Sequence, residues 1–153
     1  MTKLYRMFSE GEGFMDIKRD KYLNDLINRM HNGMIKVVTG IRRCGKSYLL
    51  FNIFKNYLLE QGVPASHIIM IELDQRKNKK YRDPDVILDY IESLIEEDGQ
   101  YYIMLDEVQM LQEFEEVLNS LLHIRNADVY VTGSNSKFLS KDVITEFRGR
   151  GDE

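Results

Sequence analysis

Val38-Thr39-Gly40-Ile41-Arg42-Arg43-Cys44-Gly45-Lys46-Ser47 is the stretch of this sequence that decides the fold. It matches the pattern G-x-x-x-x-G-K-[ST] at every fixed position. A short apolar, β-branched run precedes the loop at residues 34–39, and a largely apolar helix is predicted over residues 48–60. A strand, a glycine-bracketed loop and a helix in this order indicate a turn whose backbone N–H groups point at phosphate oxygens.

Each fixed residue of the loop has a predicted task in binding ATP. We expect Lys46 to place its cation against the β- and γ-phosphates and Ser47 to offer its hydroxyl to Mg²⁺. Arg42 and Arg43 are interpreted as solvated or paired with the N-terminal segment, with contact to the nucleotide or a neighbouring subunit as the alternative. The candidate nucleotide-binding residues are Gly40, Ile41, Arg42, Arg43, Cys44, Gly45, Lys46, Ser47 and Tyr48.

On both sides of this loop, apolar runs of strand length alternate with stretches of helical spacing. The predicted strands lie at residues 34–39, 68–73, 101–105 and 129–132, and the predicted helices at 20–30, 48–60, 83–95 and 114–122. This alternation predicts an α/β fold, namely a three-layer P-loop NTPase with a mainly parallel sheet and helices on both faces. The expected strand order is 2-3-4-1. Residues 1–18 are predicted to be a loosely ordered lead-in to a core at 19–153, in which residues 133–153 form a polar loop, with or without one short helix.

Two adjacent carboxylates follow the third predicted strand, in the stretch Tyr102-Ile103-Met104-Leu105-Asp106-Glu107. This is the expected form of the partner motif called Walker B. Asp106 would join Ser47 in the Mg²⁺ shell, since Mg²⁺ prefers hard oxygen ligands. Glu107 would act as the general base that polarises the attacking water. The alternative is a capping pair at a strand end, with Gln109 as an ordinary loop residue.

The fourth predicted strand ends in Thr132-Gly133-Ser134-Asn135, a run of polar side chains. If this strand lies between the first and third, its end reaches the γ-phosphate. Ser134 is then the first choice for a catalytic residue beside Lys46 and Glu107, followed by Asn135 and Thr132. A plain Gly-Ser-Asn turn is the alternative.

Near the end of the sequence, Arg148 and Arg150 carry guanidinium groups suited to phosphate charge. One of them acting as a cationic finger on a neighbour's nucleotide is one interpretation. A solvated tail is the other.

Composition limits the remaining classes of function. The chain has 153 residues, a net charge of −4 and a pI of about 5.5, which argues against a surface that is basic throughout. No apolar run approaches the roughly 18 residues of a membrane span. Because Cys44 is the single cysteine, an internal disulfide is excluded, and we expect a cytoplasmic protein.

At these motifs the chain resembles the prokaryotic AAA-type ATPases that usually join an N-terminal ATPase to a C-terminal domain of uncharacterised function. The likeness rests on the loop at residues 38–47, on Leu105-Asp106-Glu107-Val108-Gln109, on Val131-Thr132-Gly133-Ser134 and on Gly149-Arg150. The family commonly has proline where Ile41 stands. The resemblance implies a fifth strand beside strand one and further chain beyond this one. We expect both to be missing here, leaving a truncated core whose uncovered edge of strand one invites self-association.

Mg-dependent ATP hydrolysis is the leading interpretation, with the output passing to the C-terminal domain. One alternative is a nucleotide-regulated switch with negligible turnover, which would not need Glu107 as a base. Another is a nucleic-acid-acting ATPase that uses the basic residues of 76–82, for which DNA binding would fall steeply with salt. A kinase fits less well, because adjacent carboxylates suit water activation. Asn78-Lys79-Lys80-Tyr81 fails the Asn-Lys-x-Asp pattern of guanine recognition.

Overall fold

The computed structural model describes residues 20–39 and 45–133, together with the backbone of one further strand at Ile144–Phe147. The strands are β1 (Ile35–Val38), β2 (Ile68–Glu72), β3 (Tyr101–Asp106), β4 (Ala127–Thr132) and β5 (Ile144–Phe147). The helices are α1 (20–28), α2 (Lys46–Tyr48, a π-helical stretch Leu49–Phe54, and Lys55–Glu60), α3 (Pro84–Leu94) and α4 (Phe114–Leu122). Short 3₁₀ turns lie at Ala65–His67, Arg76–Arg82 and Val108–Met110. None of the helices in these ranges is long and apolar enough to cross a membrane.

The strands form one sheet in the order β2-β3-β4-β1-β5. The first four are mutually parallel, which confirms the predicted order 2-3-4-1. The expectation of a missing fifth strand and an uncovered edge was wrong, because β5 pairs antiparallel with β1 through the register Ile35↔Phe147 to Val38↔Ile144. Residues 144–147 place two polar side chains between two apolar ones, which is neither a continuous apolar run nor a strict alternation, so the sequence pattern does not separate this strand from the polar residues around it.

Helices cover both faces of the sheet and give the three predicted layers. Alternate strand residues point to opposite faces, so neighbours such as Val37 and Val38 enter different cores. One core, containing Val37, packs α3 and α4 through Ile87, Ile91, Val117, Leu118 and Leu121. The other, containing Val38, packs α1 and α2 through Leu26, Leu49, Leu50, Phe54 and Leu58. The parallel sheet is therefore buried on both sides, as its β-branched strands predict.

The basic stretch between β2 and α3 is a 3₁₀ turn, Arg76–Arg82, held by two side chains. The Arg82 Nε donates to the Leu73 carbonyl at 2.8 Å, and the Asn78 amide donates to the Glu72 carbonyl at 2.9 Å. The side chains that remain exposed are Arg76, Lys77, Lys79 and Lys80. The turn is thus fixed to the sheet while most of its cations face solvent.

A buried ion pair lies toward the amino-terminal edge of the parallel strands, between Lys36 of β1 and Asp128 of β4. Lys36 is fully buried, and its Nζ donates to Asp128 Oδ1 at 2.6 Å and to the Met34 carbonyl at 2.7 Å. The second carboxylate oxygen accepts hydrogen bonds from the His31 backbone N–H and from the Tyr130 hydroxyl. Each charge is therefore met by opposite charge and by hydrogen bonds, which is the condition for burying it.

Candidate functional site

Carboxyl ends of parallel strands and the amino end of α2 meet at one edge of the sheet, and the candidate site lies there. Gly45 precedes α2 with φ of 78°, in the left-handed region that glycine tolerates and other residues rarely adopt. A Cβ added at Gly45 would also come within 3.0 Å of the Tyr48 Cβ. The second fixed glycine of the motif is therefore required by the backbone, and it sets the start of the helix that carries Lys46 and Ser47.

Asp106, at the end of β3, receives two hydroxyl donors on a single oxygen. The Ser47 Oγ donates to Asp106 Oδ1 at 2.7 Å, and the Thr132 hydroxyl of β4 donates to the same atom. Asp106 is 4% exposed, and Thr132 is fully buried. The register Leu105↔Val131 explains this contact, because it sets Asp106 and Thr132 side by side at the ends of adjacent strands.

Glu107 directly follows β3 with φ of 54°, a left-handed backbone that costs about 1–2 kcal/mol for a residue other than glycine. Its backbone N–H donates to Thr132 Oγ1 at 2.8 Å, so Thr132 fixes both carboxylate residues. The side chain is held on both oxygens: Oε2 lies 3.0 Å from Lys46 Nζ, and Oε1 accepts from Gln109 Nε2 at 2.8 Å. Strained backbone that neighbouring groups hold in place is characteristic of functional sites.

The donor set at this edge fits a Mg²⁺ ion. The Ser47 hydroxyl and the Asp106 carboxylate are in hydrogen-bond contact, and both offer hard oxygen ligands. Within residues 20–39 and 45–133, no group of three or more His, Cys, Asp or Glu residues is placed to hold a metal. The Ser47 hydroxyl and the Asp106 carboxylate are the residues that could hold Mg²⁺ together with waters and phosphate oxygens, since this ion is commonly bound through one or two carboxylates.

The structure brings together Lys46, Ser47, Asp106 and Glu107 from the set predicted by sequence. Tyr48 lies at the same helix start, with 48% of its surface exposed. Of the candidates at the end of β4, Thr132 lies within the described residues, where it contacts Asp106 and the Glu107 backbone N–H. The predicted residues Gly40, Ile41, Arg42, Arg43, Cys44, Ser134, Asn135, Arg148 and Arg150 lie outside the described residues.

Gln109 belongs to a stretch on which the family resemblance rests, but it was not predicted to have a role in the site. It lies in the 3₁₀ turn Val108–Met110, and its amide contacts the Glu107 carboxylate directly. The available signal was the Asp-Glu-x-Gln pattern of residues 106–109, which the resemblance to the AAA-type ATPases already includes.

The ionised form of Asp106 is expected to lower the stability of the folded protein at neutral pH. Burial raises the pKa of this carboxyl above its ordinary value of 3.8, and Glu107 and Asp74 raise it further, against the lowering effect of the Thr132 and Ser47 hydrogen bonds. At pH values between 3.8 and that raised pKa, the native state binds more protons than the unfolded state. Stability therefore falls as pH rises through the interval.

Asp106→Asn should consequently melt at a higher temperature than the wild type near pH 7.5, with a smaller advantage near pH 4. The asparagine Oδ1 still accepts from Ser47 and Thr132, and the desolvated charge is gone. Thermal unfolding at both pH values, in buffer containing a chelator, measures the effect. An asparagine variant that melts lower at both values would show that the ionised form is required by the fold.

Comparison with known proteins agrees with this geometry. A family model described as an AAA domain matches residues 32–153. A Haemophilus influenzae protein named only as uncharacterised is 31% identical over 135 residues, covering 88% of this chain and 34% of that protein. An uncharacterised Methanocaldococcus jannaschii protein is 28% identical over 138 residues, covering 87% of this chain and 29% of the relative. No solved structure gives a significant match.

This chain therefore spans about a third or less of the length of the curated relatives that it matches (34% and 29%). The matched range contains the whole described sheet and every residue of the site. Together with the sheet order, it confirms the resemblance drawn from the motifs and indicates a nucleotide-binding function of the ATPase type. The chain belongs to the AAA domain family.

Proposed function

We propose that this chain binds Mg-ATP and hydrolyses its γ-phosphate. The observation that carries the proposal is the contact between Lys46 Nζ and Glu107 Oε2 at 3.0 Å, beside the Ser47–Asp106 hydrogen bond. A cation for the phosphates, a pair of oxygen ligands for Mg²⁺ and a carboxylate for water are thus gathered at one sheet edge. These are the parts that phosphoryl transfer needs.

Glu107 supplies the proton acceptor in this proposal. Water attacks the γ-phosphorus, its proton moves to the Glu107 carboxylate, and the bond from phosphorus to the β–γ bridging oxygen breaks. Lys46 stabilises the negative charge of the β- and γ-phosphates. Ser47 and Asp106 would hold Mg²⁺, which supplies further charge neutralisation when bound.

Thr132 links the metal ligand and the base in this proposal. Its hydroxyl donates to Asp106 and accepts from the Glu107 N–H, so it sets the metal ligand and the base relative to each other. Ser134 stays a prediction for direct contact with the γ-phosphate.

A switch with negligible turnover is the alternative that uses the same residues. The strained backbone at Glu107 favours hydrolysis, because a pure switch has no need of a carboxylate held in a costly conformation. A cytoplasmic location, self-association and an output through a further domain belong to this proposal as well. Because β5 pairs with the edge of β1, that edge is no longer a reason to expect self-association.

Lys46→Ala is expected to weaken Mg-ATP binding by at least about tenfold, since a charge-assisted contact to phosphate is lost. Calorimetric titration of Mg-ATP into the wild type and the variant measures the change. Lys77→Ala removes the same charge from an exposed position in the 3₁₀ turn Arg76–Arg82, and it should bind like the wild type. Wild-type protein that fails to bind Mg-ATP would contradict the proposal.

A further inference from the structure

One buried side-chain atom in the described part of the chain lacks a hydrogen-bond partner, and it is the amide oxygen of Gln109. Other buried polar side chains nearby, such as Asp106 and Thr132, are satisfied. An unsatisfied buried carbonyl destabilises a folded protein, so such an atom calls for an explanation. Because Gln109 contacts the Glu107 carboxylate, we look for that explanation in the candidate site.

The orientation of the Gln109 amide follows from its neighbour. Glu107 Oε1 lies 2.8 Å from Gln109 Nε2, and a carboxylate can only accept at that distance. The NH₂ group must therefore face Glu107, which leaves the Gln109 oxygen as a second acceptor. Lys46 occupies the other oxygen of Glu107, so the three side chains form a continuous row: cation, carboxylate, amide.

The two acceptors are close enough to share one water molecule. The nitrogen and oxygen of an amide are about 2.3 Å apart, so Gln109 Oε1 lies within about 5 Å of Glu107 Oε1. Two hydrogen bonds of about 2.8 Å each allow one water to bridge acceptors at that separation. Such a water would donate one hydrogen to each side chain, which fixes where its lone pair points.

We propose that Gln109 is a catalytic residue that holds the attacking water together with Glu107. In the step proposed above, the water gives one proton to the Glu107 carboxylate and keeps the other in a hydrogen bond to Gln109 Oε1. The new bond joins the water oxygen to the γ-phosphorus, and ADP leaves with the electron pair of the broken bond. The protonated Glu107 then releases its proton to solvent. This inference rests on the proposed ATP hydrolysis.

Gln109→Met tests the assignment, because methionine has nearly the same length and no amide group. We expect kcat to fall by about 10- to 100-fold with KM for Mg-ATP within about twofold, since the lost contact is to the attacking water and not to the nucleotide. Affinity for ADP with aluminium fluoride, which mimics that state, should fall along with kcat, whereas ADP alone should bind as before. Gln112→Met changes an exposed glutamine in the same loop and should leave every value unchanged.

Thermal unfolding separates this role from a structural one. Gln109→Met removes the unsatisfied buried oxygen together with the Nε2 hydrogen bond to Glu107, and because these two effects oppose each other its melting temperature should stay close to that of the wild type. A variant that turns over ATP at the wild-type rate, or loses kcat only in step with ADP binding or folding, would overturn the role of Gln109 and leave the hydrolysis proposal standing. Wild-type protein without turnover would overturn both.

Discussion

Replacing Glu107 with glutamine is expected to lower kcat for Mg-ATP hydrolysis by about 10²–10⁴-fold, the usual contribution of a positioned general base. The amide cannot take the water proton. Binding should persist or tighten, because Glu107 competes with phosphate for Lys46 through their 3.0 Å contact, and a neutral side chain does not. Steady-state phosphate release and calorimetric titration of Mg-ATP measure the two effects separately.

Glu113→Gln is the matched control for this experiment. Glu113 also has a left-handed backbone, with φ of 52°, but it lies at the exposed start of α4. Its variant should keep both the binding and the turnover of the wild type. Near-wild-type kcat in Glu107→Gln would mean that another group takes the proton. Loss of binding together with turnover would assign Glu107 to the architecture of the loop rather than to chemistry.

Replacing Lys36 with methionine is expected to destabilise the protein by about 3–5 kcal/mol, the typical effect of removing one partner from a buried ion pair. The fully buried Lys36 is the cation nearest to Asp128, which is 5% exposed. Without it the carboxylate keeps its hydrogen bonds from the His31 backbone and from Tyr130 but loses the ammonium group that lies 2.6 Å from it. Urea unfolding at constant m value measures the loss.

A double variant, Lys36→Met with Asp128→Asn, isolates the charge from the packing. Once the carboxylate is also neutral, much of the lost stability should return, and the double-mutant cycle gives the coupling energy. Lys55→Met, at a half-buried position on α2, provides a control for removing a lysine. A cost below about 1 kcal/mol for Lys36→Met would show that the pair contributes no more than a surface salt bridge.

The two predictions concern opposite ends of the parallel strands in the same sheet. Glu107 follows the carboxyl end of β3, whereas Lys36 and Asp128 lie near the amino ends of β1 and β4. Substitutions at the amino-terminal edge should thus change stability and leave Mg-ATP affinity alone, as long as the protein is folded. This division is typical of parallel α/β sheets, in which ligands bind outside the carboxyl ends of the strands.

Several parts of this protein follow from the sequence by itself. The glycine-bracketed loop predicts a phosphate-binding turn, and the alternation of apolar periods predicts a mainly parallel α/β sheet in the observed order. Asp106 and Glu107 were predicted as a metal ligand and a base because they directly follow an apolar strand. These features depend on residues adjacent in the chain, so local backbone geometry and side-chain type are enough to indicate them.

Only the tertiary structure decided which distant side chains meet. Thr132 contacts Asp106 across 26 residues, and Lys36 pairs with Asp128 across 92. In the sequence, Lys36 is a single charge within an apolar strand, and the residues next to it in the chain do not indicate which residue it pairs with. The contact of Gln109 with Glu107 depends on the tight turn after β3, and the pairing of β5 depends on an exposed edge of β1. The physical reason is that periodicity fixes which face a side chain takes, whereas strand register and turn geometry fix its neighbours, and these arise from packing of the whole sheet.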